Sequence, residues 1–353
     1  MKFTITKYNF AFFALMIFAA SFDLFAQRTV VTPKPAPTAK PVPPSRVITI
    51  NREKPEIPDY PSPVSPRETS EKSIKVTPKS SLSMCVLEGN VKINGWDRNE
   101  VRVFVKDGSS LDFKVLQTNQ QNEPVWIMIQ AVNPNPKIVR RTNECLSGQS
   151  IEIDAPRNAS INIKGQETRT SIDSVRKAVV KNVGGNIILR NISEGVEAST
   201  YEGDVSVENS SGAMTLDSSS GNIIAFEVSP SEIGDIFKAK TNNGRIALQD
   251  LAFRQIEVNS ISGSINFKGG LASGGIYNFG TSNGSINLTM PQNTSCKVVA
   301  TYGFGGFNSE LPINKETENN TPRTQRIVGT MGTGDATLNL TTSSGSINLK
   351  KKP

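Results

Sequence analysis

Histidine is absent from the 353-residue sequence, and that narrows the chemistry open to it. Ser-His-Asp and Cys-His nucleophile activation both need an imidazole, which is also the commonest metal ligand. Three cysteines, Cys85, Cys145 and Cys296, show no C-x-x-C spacing, so neither a zinc site nor a redox pair has support. Asp204, Asp235 and Asp335 stand beside glycine turns, where calcium could bind in principle. The nonapeptide calcium pattern of paired glycines with a regular Asp is missing, so these are read as solvated turn acids. "VRVFVKD" and "KIVRR" carry charges that converge on no pattern. The reading is no catalytic residue, no cofactor and no metal. One surface candidate remains, the glycine-rich run holding Tyr302, Phe304 and Phe307. Exposed aromatics on a flexible loop would stack on sugar rings or a protein partner, since aromatics dominate interface hot spots. The alternative is that these rings fold down and plug an open end of the fold.

The elements that would carry such a loop are strands. From Cys85 onward apolar and polar residues alternate: Val91 with Ile93, then Val101, Val103 and Val105, each share one face. Helical periodicity is not evident. A second pattern overlies the first. The second and fourth residues after a turn glycine are apolar: Ile187 and Leu189 after Gly185, Val205 and Val207 after Gly203, Met214 and Leu216 after Gly212. The same holds for Ile223 and Ala225 after Gly221, Ile246 and Leu248 after Gly244, and Ile265 and Phe267 after Gly263. Ile286 and Leu288 follow Gly284, and Ile347 and Leu349 follow Gly345. Gly185, Gly203, Gly221, Gly244, Gly263 and Gly284 lie 18 to 23 residues apart, with weaker turns roughly midway. One unit is therefore strand, turn, strand, turn in about twenty residues, the signature of a solenoid. Stacking six such rungs at the strand spacing gives a short stack of about 30 Å. The expected fold is all-β, a single-stack β-solenoid, with a β-sandwich of ordinary hairpins as the alternative.

Residues 81–165 are less regular and read as an N-terminal β cap, and 166–353 as the repeat, the two continuous in one domain 81–353. At the far end "RIVGTM", "ATLNL" and "SINLKK" read as return strands after a long loop. Residues 27–80 hold more than half of the prolines and read as a disordered, basic linker, extended as polyproline II. Residues 1–26 read as a signal peptide: Lys2 and Lys7 precede an apolar run from Phe10 to Phe22, and Ala26 precedes the cut. An uncleaved anchor is the alternative, although Asp23 interrupts the run. The protein would thus be exported, to the periplasm, the outer surface or the medium. Export permits disulfides, and a Cys85–Cys145 bridge is expected because these residues flank one segment. Three unpaired, buried cysteines would be the bland alternative.

The net charge of +7 suggests nucleic acid until it is located. Residues 28–80 carry ten basic and five acidic groups, the leader adds about one positive charge and Lys350, Lys351 and Lys352 add three. The remainder comes to about −2, so the folded part lacks the basic face that duplex DNA needs.

"LEGNVKINGWDRNEVRV", "SIEIDAPRNASINIKG", the serial "SSGxIxL" turns and "GTGDATLNLTTSSGSINLKK" together resemble the bacterial "putative adhesin" family of β-strand-repeat domains, over about Met84 to Lys350. The resemblance implies an exported cell-envelope protein without catalytic residues to transfer. The expected function is an adhesive or binding module whose partner is a cell-surface glycan or protein. A self-associating envelope scaffold is the alternative, and a carbohydrate-active enzyme a remote one.

Overall fold

The period-two pattern is realised strand by strand. The computed structural model describes residues 68–132, 144–321 and 323–352, and within them lie twenty-five β-strands and no α-helix. The leader and most of the proline-rich stretch lie outside the described residues, as does "KIVRR".

From β8 onward each course of the stack is a strand, a glycine corner and a second strand. β8 (Lys177–Gly184) and β9 (Ile187–Arg190) make one course, and β10 (Val196–Glu202) and β11 (Val205–Ser211) the next. β12 (Met214–Ser220) with β13 (Ile223–Ser229) and β14 (Phe237–Asn243) with β15 (Ile246–Leu251) follow. β16 (Gln255–Ser262) with β17 (Ile265–Lys268), then β18 (Ile276–Asn283) with β19 (Ile286–Met290), continue the series. Even-numbered strands pair in parallel to form a first sheet, and odd-numbered strands form a second. Register holds the apolar residues in columns: Ile187, Val205, Ile223, Ile246, Ile265, Ile286 and Ile347 are successive partners. All of them are fully buried, each contributing on the order of 1.5–3 kcal/mol.

In these courses the corner between the sheets admits only glycine. A Cβ on Gly203 would stand 2.4 Å from the Gly185 carbonyl oxygen, and one on Gly284 2.1 Å from that of Gly263. Gly212, at φ 103°, turns the opposite corner, from β11 into β12. Three residues before each first-corner glycine from Gly203 to Gly284, and before Gly345, stands a buried hydroxyl; before Gly185 the place is taken by Asn182. Thr241, Thr281 and Thr342 donate to the carbonyls of Gly221, Gly263 and Gly284 at 3.0, 3.0 and 2.9 Å, and Ser218 to that of Gly203 at 2.9 Å. Each hydroxyl thus satisfies a buried backbone acceptor in the course beneath it, which would otherwise cost about 1–3 kcal/mol.

Both ends depart from chain order. β24 (Ala336–Ser344) and β25 (Ile347–Lys351), read as return strands, form a full parallel course. It slots between the β18–β19 course and the one made by β20 (Cys296–Phe304) and β21 (Phe307–Ser309). β23 (Gln325–Met331) then caps β20 antiparallel, and β22 (Asn314–Asn320) caps β23. At the other end β2 (Ser81–Trp96) lies inside the later course of β5 (Pro124–Ala131) and β6 (Leu146–Pro156), against β7 (Ser160–Asp173). β2 and β7 each bend from one sheet into the other without interruption. The region 81–165 therefore adds courses to the stack as well as capping it. β3 (Glu100–Gly108) and β4 (Leu111–Thr118) pair antiparallel on the outermost strands β6 and β5. β1 (Glu68–Lys75) pairs with β3, so the end of the stretch 27–80 read as linker belongs to the fold. Eleven courses stack among the described residues, about 50 Å at the strand spacing, against the six anticipated. The disulfide Cys85–Cys145 ties β2 to the residue before β6, with the Cα atoms 4.5 Å apart. Cys296 is free and buried.

Candidate functional site

The aromatic run forms the last course of the stack, not a free loop. Tyr302 follows Cys296, Val298 and Ala300 on the inward face of β20 and is 5% exposed. It pairs with Thr342, so its ring ends the row of inward hydroxyls. Phe307 pairs with Ile347 and packs partly buried against the core. Only Phe304, 73% exposed at the corner, faces solvent. The three rings do not make one stacking platform. Tyr277 and Phe279 are buried in β18, where the Tyr277 hydroxyl donates to the Phe253 carbonyl at 3.0 Å.

The turn acids are engaged in turns of the stack itself, Asp204 in that of the neighbouring course and Asp235 and Asp335 in their own. Asp204 accepts from the backbone N–H and amide of Asn222 at 2.7 and 3.1 Å. Asp235 accepts from the Ser231 and Glu232 N–H groups, each at 2.9 Å, and these bonds hold its carboxyl below the ordinary range. Asp335 accepts from the Thr333 hydroxyl. Among the described residues no group of three or more Asp, Glu or Cys is placed to hold a metal ion. In "VRVFVKD", Arg102 pairs with Asp154 and lies over the Trp96 ring, a cross-strand support at the stack's N-terminal end.

The outer face of the second sheet offers more. Its outward side chains form two rows that follow from register alone. Ile224, Ala247, Asn266, Asn287 and Asn348 are successive partners in one; Phe226, Gln249, Lys268, Thr289 and Lys350 in the other. Between them runs a groove of about 600 Å³, walled by Ile224 and Phe226 at one end and reaching Lys350 at the other. It is concave because Ala247 and Thr289 are small beside their neighbours. The amides are chained: Asn287 Nδ2 donates to Asn266 Oδ1 at 3.0 Å, Asn348 to Asn287 at 2.8 Å, and Asn308 to Asn348 at 3.0 Å. In such a chain each internal amide keeps one N–H and one carbonyl lone pair free toward solvent. The face is a ruled array of spare donors and acceptors at the strand spacing of about 4.8 Å. The glycine periodicity located the inward residues and passed over these outward rows. Their signal, the asparagine between Ile and Leu in "SINLTM" and "SINLKK", was in plain view. A smaller groove of about 340 Å³ on the first sheet, over Gly280, is lined by Asn259, Asn278, Asn339, Thr341 and Ser343.

The Toastrack DUF4097 family model matches residues 50–350. The chain belongs to that family. Two solved structures resemble this Toastrack chain at 12% identity. One is a "putative cell adhesion protein" from Clostridium sporogenes, covering 81% of this chain and 100% of its own at a TM-score of 0.25. The other is a "putative lipid binding protein" from Parabacteroides distasonis, covering 80% of this chain and 96% of its own at a TM-score of 0.37. No curated protein matches the Toastrack chain.

Proposed function

We propose that this Toastrack protein is an exported, non-catalytic binding module of the cell envelope, and that it holds a glycan chain along the outer face of its second sheet. The carrying observation is the chained amide row of Asn266, Asn287 and Asn348 beside Phe226. Sugar hydroxyls donate and accept at once, which spare amide N–H and C=O groups match, and a pyranose ring packs its C–H face on an aromatic. Export is supported by the leader Lys2 to Ala26 and by the Cys85–Cys145 bridge, which suits an oxidising compartment. The test is a glycan array and whole-cell binding with the full chain, its Ile224→Ala/Phe226→Ala variant and its Phe304→Ala variant. Binding lost in the first and kept in the second is the expected result. Binding lost only with Phe304→Ala returns the site to the end of the stack.

A second reading, a scaffold assembling through its ends, is favoured by the edge of β4, which among the described residues pairs in the sheet with β5 alone. Val115 and Leu116 there, with Trp126 on the neighbouring strand, are 42%, 41% and 43% exposed. By contrast the edge strand β22 carries Lys315, Glu316 and Glu318, charges that discourage pairing. A dimer in sedimentation that Leu116→Lys dissolves would support this reading, and a monomeric wild type removes it.

A further inference from the structure

Resting on the glycan-binding reading, the second row of the same face narrows the ligand: we infer that the groove takes an acidic polysaccharide, with uronate carboxylates seated on Lys268 and Lys350. The row reads Phe226, Gln249, Lys268, Thr289, Lys350 in direct register. Aromatic, cation and cation therefore recur at every second strand, about 10 Å apart, with a shorter uncharged side chain between them.

The charges along this face are not alike. Toward the N-terminal end the same row is self-neutralised, since Arg190 pairs with Glu208 at 2.9 Å. On the first sheet Lys181 pairs with Glu197 at 2.6 Å and Lys238 approaches Glu257 at 3.8 Å. Lys268 and Lys350 are exposed and enter no ion pair among the described residues. The groove is lined by Ile224, Phe226, Gln249 and the two asparagines besides these lysines, with no carboxylate in the lining. Asp250, next along the chain, accepts from the Gln249 amide at 3.1 Å. Glu310, at the Lys350 end of the row, is engaged by the Lys351 N–H at 3.1 Å. A chain of neutral, hydroxyl-matching groups carrying two regularly spaced cations outside any ion pair is complementary to a polymer of hydroxyls with regularly spaced anions. A neutral glycan would leave both ammonium groups without a counter-charge. A peptide would leave the spare amides facing apolar side chains at intervals.

The test compares binding of polygalacturonate and of the same polymer with its carboxyls reduced to alcohols, by the full chain and three variants. Wild type is expected to favour the acidic polymer, less so as salt rises. Lys268→Gln/Lys350→Gln should weaken acidic-polymer binding roughly tenfold or more while leaving the reduced polymer unchanged, as loss of charge-assisted bonds predicts. Lys238→Gln/Lys240→Gln removes the same charge from the other sheet and should change neither. Phe226→Ala should weaken both polymers. Equal wild-type affinity for the two polymers, or an equal loss in both lysine double variants, overturns the acidic assignment and leaves the glycan face standing. Binding of neither polymer by wild type overturns both.

Discussion

Asn348 donates its amide to Asn287 at 2.8 Å across 61 residues of chain. The two asparagines lie in near-identical segments, "SINLTM" and "SINLKK", that are direct neighbours in the second sheet. The C-terminal course is therefore an inserted layer. It also bridges β18 and β20 in the first sheet.

Ending the chain after Asp335 should be far more damaging than the loss of an end strand. It would uncover the apolar edges of the β18–β19 course and of β20 together, and unpaired edges recruit other chains. Such a variant should run as aggregate in size-exclusion chromatography, whereas ending at Leu349 should leave a monodisperse protein. A monodisperse 1–335 chain would contradict the inserted-course arrangement.

At the first corner, sterics and hydrogen bonding make separable demands. Gly284→Ala forces a Cβ against the Gly263 carbonyl, an overpacking cost of about 1–3 kcal/mol. Thr281→Val keeps the shape but leaves that same carbonyl without the hydroxyl now donating at 3.0 Å, a cost of about 1–3 kcal/mol. Thr281→Ser should recover most of it. Urea unfolding of the three variants checks the order.

The thiols should divide cleanly. Burial pushes the Cys296 thiol up to about 12, so it should resist alkylation at pH 8 in the folded protein. One thiol should react after unfolding without reductant, and three after reduction. Removing the bridge with Cys85→Ala/Cys145→Ala releases a 60-residue loop and should lower stability by about 2–4 kcal/mol. A folded protein that consumes alkylating agent at Cys296 would contradict its burial.

Two carboxylates should respond to acid in opposite senses. Backbone bonds from Glu232 and Ser231 depress Asp235. Its contribution is present above the unfolded carboxylate pKa and is lost as pH falls through its lowered folded pKa. Asp217 is raised, chiefly by burial, so it opposes folding when ionised and ceases to as acid protonates it. Asp235→Asn should thus destabilise at pH 7 and converge on wild type in acid. Asp217→Asn should stabilise at pH 7, and that gain should also shrink in acid. Thermal unfolding from pH 7 to pH 3 gives both differences.

The inward half of this protein was written in local sequence. Ile286 and Leu288 face the core because alternate residues of a strand must face opposite ways. Gly284 marks the corner because no Cβ fits there. The inward hydroxyls were equally legible, as Thr200, Ser218, Thr241, Ser260, Thr281 and Thr342 each stand three residues before a glycine. What tertiary structure decided was neighbourhood. The courses ending in "SINLTM" and "SINLKK" offer almost the same edge, so periodicity cannot say which stacks on which. That choice turns on contacts between segments far apart in the chain, as does the placing of β2 inside β5 and β6. The same holds for the candidate site: Phe226, Lys268 and Lys350 are spread over 125 positions of sequence, and only the stacking of their strands sets them in one row.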